Sequence, residues 1–272
     1  MQMKILLNNF DLNEALKKVK NLGYVPTMGS IHKGHEFLIK QSKKKSKTTL
    51  VSIFINPKQF NNKGDYKKYP KNINKDLKIL KKLKTDFVYI PKSKDVFNKA
   101  EQKDIKLNKK DRILCAKYRK GHFEGVLKVM DRLTNLIKPK KIFMGEKDYQ
   151  QLYLVKKFIE KRYKSKIIAC KTVRDRNNLA LSSRNLLLTN KQKLLASKLT
   201  MKVMELKYFI KKNKNIKSLI KVKKKEFEKN FQIKIEYLDI RNIINFKKTK
   251  SIKNSRIFIA YYIGKVRLID NF

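Results

Sequence analysis

Short apolar runs rich in β-branched and aromatic residues recur along the first two thirds of this chain. They stand at residues 48–55 (TTLVSIFI), 86–90 (DFVYI), 141–144 (KIFM) and 166–173 (KIIACKTV). Between them, leucines and valines repeat every three or four residues, as in Leu77, Leu80 and Leu83 of 76–84, or Val126, Val129, Met130 and Leu133 of 125–137. Continuous apolar runs bounded by turn residues suit strands buried on both faces, and an intervening helix is the connection that parallel pairing needs. The alternation therefore predicts a doubly wound α/β domain with a mostly parallel sheet. Residues 23–26 add a strand, and 36–42 and 149–162 add helices. Asp11 with Glu14 reads as a capping box opening a first short helix. The lysine-rich, weakly periodic stretch 92–110 reads as a loop.

After residue 184 the pattern changes. Thr189 with Gln192 forms a second capping box, starting a helix that runs to about residue 211. A strand at 233–240 follows, then 256–263 and 266–269 as a hairpin turning at Gly264-Lys265. Helices followed by antiparallel strands describe a smaller α+β domain, so the domains are expected at 1–175 and 176–272. No apolar run approaches the roughly 18 residues of a membrane-spanning helix, and the apolar tripeptide in residues 1–10 is too short for a signal core. A cytoplasmic protein with no membrane partner is expected. Cys115 and Cys170, without metal-ligand spacing, read as buried free thiols.

With 70 Lys and Arg against 22 Asp and Glu, the formal charge is +48. Charge of that size raises a polyanion partner. The excess, however, is nearly all Lys, spread from end to end beside abundant Asn and Ile, three residues with adenine- and thymine-rich codons. Arg, the usual reader of bases and phosphates, is sparse. No specific nucleic-acid partner is expected.

Chemistry-bearing residues gather where strands hand over to helices. In Met28-Gly29-Ser30-Ile31-His32-Lys33-Gly34-His35, two histidines three apart can point to one side of a helix start, where backbone N–H groups favour a phosphate. Surface histidines beside a tight turn are the plainer alternative. Asn56, Pro57 and Gln59 follow a buried strand, on the rim where open α/β sheets bind ligands; a turn closed by Asn and Pro would look the same. Gly145-Glu146-Lys147-Asp148 again joins strand to helix, placing Lys147 to neutralise phosphate charge, with Gln151 one turn on. Leu181-Ser182-Ser183-Arg184 is a polar loop able to close over a triphosphate, or an ordinary cap.

Together these residues become recognisable. PTMGSIHKGH resembles the HIGH element of nucleotidyltransferases in its pantothenate-synthetase form. VSIFINPKQF, YRKGHFEGV, MGEKDYQQL and LALSSRN follow in that family's order, and the terminal RLIDN fits as well. The resemblance implies a Rossmann-like first domain and ATP-dependent condensation of pantoate with β-alanine through a pantoyl adenylate, with magnesium, releasing AMP and pyrophosphate. It implies a homodimer. It places Met28 to His35, Gly145 to Asp148, Val173 and Leu181 to Arg184 on ATP, with His32, His35, Lys147 and Arg184 catalytic and His35 the proton donor. Gln59, Gln151 and Asn56 would hold pantoate. Three departures stand out: Lys75-Asp76 where the family often has adjacent acids, leaving Asp76 as a magnesium ligand; Asn177-Asn178 for Asp-Gly; and Lys120 for Pro. The main rivals are a nucleic-acid-binding protein and an adenylyl- or cytidylyltransferase acting on another substrate.

Overall fold

The computed structural model describes residues 2–60, 63–97, 105–212, 215–249 and 251–272. It divides into two compact units. The first comprises Met1–Lys109 and Arg119–Val173, the second Lys110–Tyr118 and Arg174–Phe272. The boundary expected near residue 176 is thus drawn at Arg174, and 110–118 groups with the second unit.

The first unit is built on strands β1 (Lys4–Leu6), β2 (Leu22–Thr27), β3 (Thr48–Ile53), β4 (Phe87–Tyr89), β5 (Lys141–Gly145) and β6 (Lys166–Cys170). They pair in the order β1-β4-β3-β2-β5-β6, every ladder parallel. Helices α1 (Asn9–Leu16), α2 (Lys33–Lys45), α3 (Lys63–Lys68), α4 (Ile73–Lys82), α5 (Ser93–Val96), α7 (His122–Ile137) and α8 (Tyr149–Arg162) connect them, while α6 (Cys115–Tyr118) lies in the second unit. The β-branched runs fill the centre: Val25, Val51, Val88 and Phe143 are wholly buried beside Ile39 of α2 and Leu80 of α4. From β2 the chain winds outward through β3 and β4, then returns to the other side of β2 with β5. The strand order therefore reverses between β2 and β5, and the crevice at their carboxyl ends is where such sheets take ligands.

Two local expectations change. Helix α1 begins earlier than the Asp11–Glu14 signature predicts: Asn8 is the N-cap, its side chain accepting from the Asp11 amide, and Asp11 reaches back to the Leu7 amide. The expected box of Asp11 and Glu14 is not formed: the cap lies three residues earlier, because Asn caps as well as Asp, and Asp11 accepts from the residue before the cap. Residues 92–110 are not all loop. Ser93–Val96 is a helical turn and Lys109–Asp111 a 3₁₀ turn, while 98–104 lie outside the described residues.

The second unit packs α9 (Asn190–Lys212) and α10 (Ile216–Phe231) with the antiparallel sheet β7 (Lys234–Asn242), β8 (Ser255–Ile263) and β9 (Val266–Asn271). Its core includes Leu199, Leu206, Ile257 and Ile259. Thr189 and Gln192 exchange backbone-to-side-chain hydrogen bonds of 3.0 and 3.2 Å, the predicted capping box. Gly264 turns the β8–β9 hairpin at φ +55°. Among the described residues, no helix is long and apolar enough to cross a membrane.

Candidate active site

Strand β2 ends at Thr27, whose hydroxyl donates to the Ser52 carbonyl (2.7 Å) and accepts from the Gly29 amide (3.2 Å). Gly29 and Ser30 then take left-handed backbone, φ +75° and +53°. A side chain at Gly29 would be strained by that φ, and its Cβ would stand 2.9 Å from Asp76 Oδ2. The bend turns the Ser30 and Ile31 amides toward Asp76 of α4. Ser30 donates to Oδ2 at 2.8 Å and Ile31 to Oδ1 at 2.7 Å. Asp76 is only 3% exposed.

His32 and His35 cap α2 reciprocally. Nδ1 of His32 accepts from the Gly34 amide (3.1 Å), and Nδ1 of His35 accepts from the His32 amide (3.4 Å). A backbone amide can only donate, so both Nδ1 atoms are unprotonated and each neutral ring carries its proton on Nε2. The rings lie with centroids 4.1 Å apart. Burial and, after it, the Lys147 charge lower the pKa of His32 to about 4, with Asp148 opposing. Burial lowers that of His35 to about 3, helped by His32 and Lys147. Neutral rings with Nε2–H groups can donate to an anion without themselves carrying charge.

Lys147 enters from the turn Glu146–Asp148 that follows β5, its side chain 17% exposed and 3.7 Å from the Asp148 carboxylate. The side chains after β2 and β5 thus meet electrostatically at the reversal of strand order. After β3, Pro57–Gln59 forms a 3₁₀ turn capped by Asn56. Gln59 Nε2 lies against Met28 Sδ, joining this turn to the β2–α2 loop. Asn56 is 1% exposed; its Nδ2 donates to the Gly125 carbonyl (3.0 Å) and Gln59 Oε1 (3.4 Å), and its Oδ1 accepts from the Lys58 amide (3.1 Å). Asn56, expected to contact the substrate, is buried among protein partners and holds the turn that carries Gln59.

The motif YRKGHFEGV supports the same turn from outside. Arg119 Nη1 donates to His122 Nε2 (2.9 Å), so His122 carries its proton on Nδ1 and donates it to the Gln59 carbonyl at 2.6 Å. Arg119 Nη2 reaches the same carbonyl at 3.4 Å. Gly125 of α7 packs so closely that a Cβ there would lie 2.3 Å from the Lys58 carbonyl oxygen. His122 stands in a motif that the sequence displays, but this task has no local signal there, since its partner is 63 residues away. Gln151 sits on α8 and Val173 at the end of the first unit, both partly buried.

In the second unit, Ser182 caps the 3₁₀ helix Ser183–Leu187, its hydroxyl accepting from the Arg184 amide (3.3 Å); Ser183 is buried. The preceding turn is held by Arg174, which donates to Asp270 at 2.6 and 2.9 Å and to the Asn178 carbonyl. Asn178 adopts φ +66°, the left-handed backbone that the Asn-for-Gly replacement had to accommodate. Asp270, from RLIDN, is another residue whose part emerges only from the fold.

Among the described residues there is no group of three His, Cys, Asp or Glu that could hold a metal ion, and each Asp76 oxygen already accepts a loop amide. These residues do not form a protein-built magnesium cage, and Asp76, expected at the metal, holds the loop through both of its oxygens.

The family model described as pantoate-beta-alanine ligase matches residues 4–272. The chain is 38% identical to the pantothenate synthetase of Azobacteroides pseudotrichonymphae over 284 residues, and 38% identical to that of Campylobacter hominis over 273, covering 99% of both chains in each case. Among solved structures it matches the Thermus thermophilus pantothenate synthetase at TM-score 0.92 and 26% identity, over 99% of each chain. It also matches the Francisella tularensis pantoate-beta-alanine ligase, complexed with beta-gamma ATP and beta-alanine, at TM-score 0.82 and 36% identity, over 99% and 97%.

Proposed function

The chain belongs to the pantoate–β-alanine ligase family and is an ATP-dependent ligase of those two substrates, and we propose that it works through a pantoyl adenylate formed at the β2–β5 crevice. The observation that carries this is the pair of neutral Nε2–H imidazoles beside Lys147, at the strand-order reversal, with Gln59 held against the same loop. A pantoate carboxylate oxygen bonds to the α-phosphorus of ATP as the bond to the β-phosphate bridge breaks and pyrophosphate leaves. The β-alanine amine then bonds to the acyl carbon, losing a proton as AMP departs.

In this reading Met28 to His35 and Gly145 to Asp148 bind ATP. His32 and His35 donate Nε2–H hydrogen bonds to phosphate oxygens, and Lys147 offsets charge that grows during transfer. Of the two, His35 is the proton donor that the family resemblance implies, its Nε2–H the group that faces the phosphates in this reading. Gln59 and Gln151 hold pantoate, and Asn56 positions Gln59. The family resemblance adds Val173 and Leu181 to Arg184 to the nucleotide contacts. It likewise implies magnesium, which in such enzymes is commonly held through substrate phosphates; no step here passes through it. Cytoplasmic placement and a homodimer also rest on the resemblance, and fractionation and sedimentation test them.

The deciding experiment is pantoate-dependent exchange of labelled pyrophosphate into ATP. Exchange requiring pantoate but not β-alanine is expected. Its absence, together with tight RNA binding at physiological salt, sinks the ligase mechanism.

A further inference from the structure

We infer that Asp76 is a positioning residue for the nucleotide loop rather than a ligand of the metal. This rests on reading the β2–α2 loop as the ATP site. A buried carboxylate needs compensation, and Asp76 finds it in the Ser30 amide on one oxygen and the Ile31 amide on the other. Such bonds to a charged acceptor are the stronger kind, and two on one rigid group fix direction as well as distance. Here they act on a loop that has no regular secondary structure and passes through two consecutive left-handed residues. The next residue, His32, is the N-cap whose ring orientation depends on where the chain enters α2. Asp76 itself is fixed from behind, because Asn72 caps α4 through the Lys75 amide at 3.0 Å. A chain of contacts therefore runs from the start of α4 through Asp76 to Ser30 and Ile31, and on to His32 and His35.

Geometry also argues against a metal at this carboxylate. The two oxygens face loop amides, whose positive ends repel a cation, and no second acidic or imidazole ligand set gathers around them among the described residues.

Asp76→Asn supplies one acceptor and turns a donor against the other amide, and Asp76→Ala removes both acceptors. Loss of one charge-assisted bond corresponds to about a tenfold change in an equilibrium. The expected result is an ATP KM raised about tenfold or more in pyrophosphate exchange, a pantoate KM within about twofold of the wild type, and an unchanged half-saturating magnesium concentration. In the nucleotide-free, metal-free protein, hydrogen exchange at Ser30 and Ile31 should accelerate about tenfold in Asp76→Asn. A raised magnesium requirement with an unchanged ATP KM, or undiminished protection of both amides, overturns the inference. A wild-type arm covers variants that fail to fold: magnesium chloride alone should leave the Ser30 and Ile31 amide resonances in place, and a saturable shift of them assigns the metal to Asp76 after all. If the wild type shows no pantoate-dependent exchange, the ATP-site reading fails, while hydrogen exchange still judges the anchor.

Discussion

Replacing Gly125 by Ala tests whether α7 sets the position of Gln59. The added Cβ would lie 2.3 Å from the Lys58 carbonyl oxygen, 2.7 Å from its carbon and 3.0 Å from the Gln59 amide nitrogen. An ordinary contact needs about 3.3 Å or more, so the turn must retreat by roughly 1 Å; both sides are backbone, and no flexible side chain can give way. The retreat pulls against the 3.0 Å bond from Asn56 to the Gly125 carbonyl and the 2.6 Å bond from His122 to the Gln59 carbonyl. Overpacking of this kind costs about 1–3 kcal/mol. For a protein of this size that lowers Tm by roughly 2–12 °C. A misplacement near 1 Å can cost as much as about a hundredfold in rate. Pyrophosphate exchange with varied pantoate and varied ATP reads the effect: kcat/KM for pantoate should fall by one to two orders of magnitude and the ATP KM should move less, because the ATP loop is held by Asp76 and meets this turn only through Met28 and Gln59. A variant with wild-type Tm and wild-type pantoate kinetics refutes the claim that this contact sets the turn.

The remaining expectations concern the histidines and the second unit. In nucleotide-free protein, nitrogen NMR should show His32 and His35 as Nε2–H tautomers that titrate well below 6.5; ordinary titration near 6.5 would contradict the capping geometry. Their folded pKa values lie below the unfolded one, so the unfolded chain binds more protons between them. The stability they contribute is full above about pH 6.5 and is lost as pH falls toward 4 and then 3, which acid unfolding of His→Gln variants would register as a flattened slope. His35→Ala should remove exchange while leaving the circular dichroism spectrum intact, and near-normal turnover would refute its catalytic role. Asp270→Ala strips a mostly buried Arg174 of its carboxylate and should destabilise the second unit by about 3 kcal/mol in denaturant unfolding; a change below about half a kcal/mol would show the pair to be idle.

The first unit was legible because its central strands, β2 to β5, are buried on both faces and therefore read as unbroken apolar runs. Val51, Val88 and Phe143 announced themselves in this way, and each proved wholly buried. β1 did not, since Lys4–Leu6 is three residues long and exists as a strand only because β4 offers it an edge, Lys4 pairing with Phe87. Nor did α10, whose lysines mask a narrow buried face of Ile216, Ile220 and Phe227. The grouping of 110–118 with the second unit had no local signal, because it depends on partners such as Tyr237, whose hydroxyl meets Cys115 at 3.0 Å. The candidate site was legible as a set of motifs but not as a division of tasks. Residue type and spacing picked out His32, His35, Lys147 and Gln59. They could not show that Asn56 and Asp76 bind backbone amides of the loops that lead into His32 and His35 and carry Gln59.

That division has a physical basis. A loop that must present donors to a phosphate cannot also pack its backbone into a core, so its amides need acceptors brought from elsewhere. Asp76 serves the β2–α2 loop, Asn56 serves the β3 turn, and Asp175 serves the turn before Leu179 by accepting from the Asn177 and Leu179 amides. All three are short polar side chains, and two are among only 22 acids facing 70 cations in the sequence. Acids paired only to surface cations can be exchanged for lysine without much loss, since exposed pairs contribute little. Acids bound to buried amides cannot, because a lysine there would add a donor to a donor. Among the described residues the buried carboxylates are Asp76, Asp111 and Asp270, and the first of them holds two amides of the β2–α2 loop, a task that no lysine could take over.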